Sequence, residues 1–205
     1  MIELRNKITK EEIGQMPVER FEGRIIVINT EPEARKAVEY LNIHSLVGVD
    51  TETRPSFRRG MLNKVALLQI ATPDVCFLFR LNRLGLPDFL DNFLLNNVPK
   101  VGLSLRDDFT MLYKRNHTDL HQGNWIELQD YVSLFGIEEK SLQKIYALLF
   151  GKRISKAQRL SNWEADVLTE AQQIYAATDA WACLTIYCYL EELRAKGNYR
   201  TVCEE

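Results

Sequence analysis

The sequence predicts a single α/β domain in which helices cover both faces of a mixed sheet. Two observations lead to this fold class. The first half of the chain alternates short runs rich in β-branched and apolar residues with helical segments, and the second half is mostly helical. With 205 residues, the chain is long enough to bury a full core in one domain.

Strands are predicted where apolar and β-branched residues form short runs between turn signals. The run that follows residue 45 ends in acidic residues, and Thr72-Pro73-Asp74 is a turn signal between two later runs. The predicted strands are residues 24–29, 46–52, 64–70, 75–79 and 100–103.

Helices are predicted from their start and stop signals. Threonine stands three residues before Glu or Gln at Thr9, Thr30 and Thr169, which is the spacing of a capping box. Ser141 is a candidate N-cap, and Gly151 is the matching stop signal. The predicted helices start at residues 10, 31, 87, 107, 142 and 170, the first stopping before Pro17 and the last closing at Gly197.

Composition limits the setting of this domain. The chain is 46% hydrophobic and 26% charged, and it contains no apolar run long enough to span a bilayer, so we expect no membrane partner. The start of the chain does not resemble a signal peptide. Four cysteines form no CxxC pair, which indicates a reducing, cytoplasmic location, and Cys183 and Cys188 are interpreted as helix-packing residues.

Two carboxylates lie one residue apart at the end of the strand 46–52. Because side chains of a strand alternate between its faces, Asp50 and Glu52 project from one side and Thr51 from the other. Two adjacent acids repel each other, whereas a hard divalent cation binds such oxygen ligands. Two exposed acids at the end of a strand are the alternative interpretation of this pair taken alone.

Two further places supply candidate partners for these acids. Tyr175 and Asp179 are four residues apart in the last predicted helix, so they share one helix face. Ser104 is the predicted N-cap of another helix, which puts Asp107 at the third helical position, where an acid completes a capping box. Asp108 faces a different direction and is therefore the candidate for the site.

These three places resemble, in order, the three motifs of the DEDD superfamily of 3′–5′ exonucleases. Asp50 and Glu52 match the first motif and Asp108 the second, and a tyrosine four residues before Asp179 is typical of the tyrosine branch. The resemblance covers about residues 23–195 and is strongest to the Werner helicase exonuclease domain and to ribonuclease D. The supporting segments are Gly60-x-x-x-Lys64-Val65-Ala66-Leu67-x-Gln69, Val101-Gly102, Ser161-Asn162-Trp163 and residues 175–180.

The resemblance implies a ribonuclease H-like fold with a mixed sheet of five to six strands and a helical C-terminal half. It also implies residues 23–197 as the exonuclease domain, residues 1–22 as an N-terminal extension with a short helix, and residues 198–205 as a C-terminal tail. The implied cofactors are two divalent ions, Mg²⁺ or Mn²⁺. Their implied ligands are Asp50, Glu52, Asp108 and Asp179, and Tyr175 is implied to orient the attacking water.

The implied reaction removes nucleoside 5′-monophosphates from a free 3′ end, single-stranded or recessed, with DNA favoured over RNA. Net charge is −2, so phosphate attraction must come from local basic patches rather than from the whole surface. A solvated surface is the alternative interpretation of such patches. The predicted nucleic-acid-binding residues are Thr51, Arg59, Lys64, Lys152, Lys156 and Arg159.

A second hypothesis is a catalytically silent module that binds nucleic acid or acts as a scaffold with the same fold. Such a module is expected to lack at least one metal ligand. Every acidic position of the three motifs is occupied here, which favours the enzyme. The sequence does not indicate any protein partner.

Overall fold

A six-stranded mixed sheet forms the centre of the protein. The computed structural model describes residues 1–56 and 63–202. Within those residues the strands are β1 (Ile2–Arg5), β2 (Val18–Glu19), β3 (Arg24–Ile28), β4 (Val47–Thr53), β5 (Val65–Ala71), β6 (Val75–Phe79), β7 (Lys100–Gly102), β8 (Trp125–Glu127), β9 (Arg153–Ile154) and β10 (Tyr199–Val202).

The helices in the described residues lie on both sides of that sheet. They are α1 (Lys10–Gln15), α2 (Glu31–Leu41), α3 (Leu81–Leu84), α4 (Asp88–Leu95), α5 (Leu105–Asn116), α6 (Leu128–Ser133), α7 (Leu142–Phe150) and α8 (Glu170–Lys196), with a 3₁₀ helix at Leu120–Gln122. None of them combines the length and the apolar character that crossing a bilayer requires.

The central sheet has the strand order β3-β6-β5-β4-β7-β8. The pairs β4–β5 and β5–β6 are antiparallel, whereas β3–β6, β4–β7 and β7–β8 are parallel. The predicted mixed sheet of five to six strands is therefore confirmed, with six strands. Because β4 pairs on both sides, its backbone is held rigidly, and its side chains keep a fixed position above and below the sheet.

The side chains of β4 separate into two environments. Val47 and Val49 belong to the large apolar cluster that α2, α4 and α5 cover. Gly48 faces the opposite side, where any Cβ at this position would collide with the backbone oxygen of Ala180 in α8. The glycine therefore allows α8 to lie directly on β4, two residues before Asp50 on the same face.

The capping boxes predicted at Thr9, Thr30 and Thr169 are present, and each opens a helix within one residue of the predicted start. Gly151 and Gly197 end α7 and α8 in the left-handed conformation, as their stop signals predict. The predicted strands are confirmed as well, with boundaries that differ by at most one residue.

Several short elements were not predicted. The strands β1, β2, β8, β9 and β10 contain two to four residues each, too few to show a period-two pattern. β1 pairs in parallel with β10, and β2 pairs in parallel with β9. Residues 1–22 and 199–202 are thus joined to each other and to the rest of the chain by strand pairing, while the predicted domain boundaries stay a prediction.

One packing prediction is wrong. Cys183 is buried in α8 as expected, but Cys188 in the same helix is exposed. The two residues are five positions apart, which is 500° of rotation around a helix and places them on different faces. Cys203 and the predicted nucleic-acid-binding residue Arg59 lie outside the described residues.

Candidate active site

Three carboxylates from two elements meet where α8 crosses β4. One oxygen from each of Asp50, Glu52 and Asp179 can be chosen so that these atoms all lie within 4.8 Å of one another. Strand alternation puts Asp50 and Glu52 on the α8 side of the sheet, and the contact at Gly48 sets how closely the helix approaches. Three of the four acids predicted as metal ligands therefore meet at the junction of β4 and α8.

Asp108 joins this cluster from the other side of β4. Its carboxylate accepts a hydrogen bond from the hydroxyl of Thr51, whose side chain points away from Asp50 and Glu52 as predicted. Its charge acts on both Asp50 and Glu52. Thr51 therefore positions Asp108, and its predicted contact with nucleic acid stays a prediction.

The neighbouring Asp107 is exposed, and its predicted capping role is wrong. Ser104 is the N-cap of α5, but it has left-handed backbone geometry, with φ of 64°, and its hydroxyl does not cap the helix. The carboxylate of Glu127 instead accepts the backbone N–H groups of Ser104 at 2.9 Å and Leu105 at 2.7 Å. A residue at the end of β8 thus satisfies the free donors of the helix that carries Asp108.

Burial and mutual repulsion raise the pKa values of these acids. The pKa of Asp50 lies well above its usual value because the carboxyl is buried and faces Asp179, Glu52 and Asp108. Burial, followed by the charges of Asp179 and Asp108, raises the pKa of Glu52 to about 9. Burial likewise raises the pKa of Asp108 and of Asp179 to about 7. Opposite charge is therefore what this cluster needs, and a divalent cation supplies it.

Tyr175 lies one helical turn before Asp179 and is almost fully buried. Burial and the charge of Asp179 raise the pKa of its phenol, so the hydroxyl keeps its proton at neutral pH. Its ring packs against Trp163, with ring centroids 5.9 Å apart. Trp163 is fully buried, so it packs in the core beside Tyr175.

Residues 163–166 are anchored by three arginines that were not predicted as site residues. Arg80 is buried, and its guanidinium donates to the backbone oxygen of Ala165. Arg83 donates to the backbone oxygen of Asp166, and Arg54 forms an ion pair with Glu164 at 3.2 Å. Single arginines distant in sequence give no periodic signal, so only the structure reveals this anchoring.

The predicted basic residues have different positions relative to the acids. Lys156 and Arg159 line a cavity of about 300 Å³ that also contacts Tyr175 and Asp179. Their charges act on Asp179 and Glu52 respectively. Lys152 instead forms an ion pair with Glu19, and Lys64 lies exposed directly before β5. Two of the four described basic residues therefore face the carboxylates.

A family model described as "3'-5' exonuclease" matches residues 25–194. The chain belongs to the 3′–5′ exonuclease family. It is 30% identical to a 3′–5′ exonuclease of Arabidopsis thaliana over 194 residues, covering 86% of this chain and 67% of that protein. It is 33% identical to the bifunctional 3′–5′ exonuclease/ATP-dependent helicase WRN of Mus musculus over 155 residues, covering 72% of this chain but only 11% of that protein.

The fold is shared with solved members of the family. The structure of Escherichia coli RNase D superimposes with a TM-score of 0.73 at 20% identity, covering 86% of this chain and 46% of that chain. The predicted likeness to the Werner exonuclease domain, to RNase D and to the ribonuclease H-like fold is therefore confirmed. As a member of this family the chain is a hydrolytic enzyme, which confirms the predicted enzyme class.

Proposed function

We propose that this protein is a metal-dependent exonuclease that hydrolyses the last phosphodiester bond at a 3′ end and releases nucleoside 5′-monophosphates. The observation that carries this proposal is the meeting of Asp50, Glu52 and Asp179 within 4.8 Å, with Asp108 close enough for its charge to act on Asp50 and with Tyr175 one helical turn before Asp179. Carboxylate oxygens at this density fit Mg²⁺ or Mn²⁺, which prefer hard oxygen ligands.

The residues divide the work of the reaction. Asp50, Glu52 and Asp179 would hold one cation, and Asp50 and Asp108 would hold a second. The cations would supply a nucleophilic water at neutral pH and charge stabilisation of the leaving oxygen. The Tyr175 hydroxyl keeps its proton and hydrogen-bonds with the Asp179 carboxylate, and from there it would contact and orient the attacking water. Trp163 and the arginine-anchored segment hold the phenol in place for this contact.

The cavity lined by Lys156 and Arg159 is the proposed entry for the nucleic-acid backbone. Both side chains are exposed, so they can reach a phosphate without losing a buried partner. Neutralising both should cut affinity for an oligonucleotide and lower the salt dependence of binding. Lys152→Ala is the matched control, because its ammonium is engaged with Glu19 and we expect a smaller effect.

We propose DNA as the favoured substrate, on the strength of the Werner-like motifs. RNA is the competing substrate, since the structurally similar E. coli RNase D is described as an exoribonuclease involved in structured RNA processing. Digestion of matched DNA and RNA strands of identical base sequence decides between them. Faster cleavage of RNA would reverse the preference without affecting the proposed chemistry.

The central experiment follows a 5′-labelled strand with Mg²⁺ or Mn²⁺, with EDTA, and with a chemically blocked 3′ end. We expect a ladder that shortens from the 3′ end in the presence of metal, and nucleoside 5′-monophosphates as products. EDTA and the blocked end should each stop the reaction. Binding of the strand without any product over hours would instead support the silent module.

A further inference from the structure

Gln69 is a buried polar residue next to the acids, and its side chain has no hydrogen-bond partner within residues 1–56 and 63–202. Its side chain is fully buried, and neither its amide nitrogen nor its amide oxygen is paired with any residue in the described part of the chain. It lies in β5 directly opposite Asp50 in the antiparallel ladder. Directly opposed residues share one face of the sheet with Cβ atoms roughly 5 Å apart, so the amide is within reach of the Asp50 carboxyl.

The surroundings of Gln69 do not explain an amide at this position. Leu67 and Ala71, two residues before and after it on the same face, are fully buried and belong to the apolar cluster under α8. Leu78 is its cross-strand neighbour on β6 and belongs to the same cluster. Leaving a buried polar group unpaired costs about 1–3 kcal/mol, and an apolar residue of the same shape avoids this cost. Packing against these apolar neighbours therefore does not account for the amide.

We propose that Gln69 is a positioning residue that donates a side-chain N–H to the carboxylate of Asp50 and orients it toward a bound cation. This inference rests on the proposed metal-dependent function. Carboxylates that bind metals are themselves held by hydrogen bonds, and the loss of such a contact weakens metal binding by about 10–100-fold. Asp50 is the acid directly opposite Gln69, and its carboxyl is buried and faces the other three acids.

Trp163 offers a competing partner. Its indole N–H is also buried and unpaired among the described residues, and Trp163 belongs to the same cluster under α8. If the amide oxygen of Gln69 only accepted a hydrogen bond from this N–H, Gln69 would stabilise the folded state and would not orient Asp50. Loss of the amide would then lower stability and leave cation affinity unchanged.

The test replaces Gln69 by Met, which is close in shape and cannot donate, with Gln69→Leu prepared beside it. Mn²⁺ alone is titrated into the protein, followed by calorimetry and by the shift in thermal unfolding temperature. We expect Mn²⁺ binding to weaken at least about 10-fold in both variants. In EDTA, we expect both to unfold at or above the wild-type temperature, because an unpaired amide has been removed. Leu78→Met is the control in the same layer and should bind Mn²⁺ as the wild type does.

Wild-type Mn²⁺ affinity in the Gln69 variants would overturn the proposal. Failure of both variants to fold in EDTA would overturn it too, because the amide would then be a requirement of the fold. The proposed function fails separately, if the wild-type protein binds Mn²⁺ but does not shorten a labelled strand. Normal digestion by the wild type together with normal metal binding by Gln69→Met would refute the positioning role alone.

Discussion

The two faces of β4 are built for different purposes. On one face, Val49 and its neighbours join a cluster of large apolar side chains under α2, α4 and α5. On the other face, Gly48, Asp50 and Glu52 meet a helix surface of small residues, with Ala176, Ala177 and Ala180 among them. The difference shows that β4 supplies core packing through Val47 and Val49 on one face and carboxylates through Asp50 and Glu52 on the other, while Thr51 on the packed face contacts Asp108.

The sharpest way to test this separation is Asp50→Asn on the α8 face. We expect hydrolysis to fall by roughly 10³-fold or more, because the loss of a shared metal ligand should exceed the loss of a single transition-state donor. Thermal unfolding in EDTA should be unchanged or shifted upward, since one repelling charge has been removed. Digestion of a labelled strand measures the rate. A rate within tenfold of the wild-type rate would contradict the assignment of Asp50 as a metal ligand.

The opposite face should show the reverse result in Ile70→Ala. Ile70 is fully buried in the cluster away from α8, and its truncation leaves a cavity that should lower the free energy of unfolding by about 2–5 kcal/mol. The folded fraction should keep its activity, because Ile70 pairs with Val49 and faces away from Asp50 and Glu52. Urea unfolding measures the first quantity, and activity per folded molecule measures the second.

The free energy of unfolding should depend on pH through the acids on the α8 face of β4 and through Asp108, and not through the apolar cluster on the opposite face. Carboxyl pKa values raised to about 7 for Asp108 and Asp179 and to about 9 for Glu52 mean that the folded state binds more protons than the unfolded state. The contribution of these three acids to metal-free stability is then full below about pH 4, and it is lost as the pH rises through 7 and toward 9. Saturating Mn²⁺ should remove most of this slope, whereas an unchanged slope would argue against a shared metal site.

Gly48→Ala tests the contact that joins the two regions. The added methyl collides with the backbone of α8, so the helix must move away from β4 at a cost of about 1–3 kcal/mol. Because Asp179 moves with the helix, Mn²⁺ affinity should fall as well. The matched control is Gly14→Ala, where the added Cβ contacts nothing within 4 Å.

The smallest effect is expected for Asp107→Asn. Asp107 is exposed and does not cap α5. The free energy of unfolding should therefore stay within about 0.5 kcal/mol of the wild-type value, and the rate of hydrolysis should be unchanged. Asp108→Asn should instead lose most of the activity. A large loss in Asp107→Asn with retained activity in Asp108→Asn would reverse the assignment of this pair.

The parts of the site that follow from local periodicity were predictable from the sequence. Strand alternation places Asp50 with Glu52, and helical spacing places Tyr175 with Asp179. What could not be predicted depends on contacts between distant segments. Glu127 lies 23 residues from the Ser104 N–H that it caps, and Arg80 lies 85 residues from the carbonyl of Ala165. A partial signal existed for Gln69, a polar residue in an otherwise apolar strand.

The pairing of β1 with β10 has a consequence for how the protein tolerates shortening. Leu4 is buried through this pairing, and the Thr201 hydroxyl donates to the backbone oxygen of Phe135 at 2.7 Å. Removing residues 199–202 should therefore allow the amide protons of residues 2–5 to exchange with solvent. Removing residues 2–5 should likewise allow the amide protons of residues 199–202 to exchange. We therefore expect β1 and β10 to open together, so that a change which loosens one strand also exposes the other.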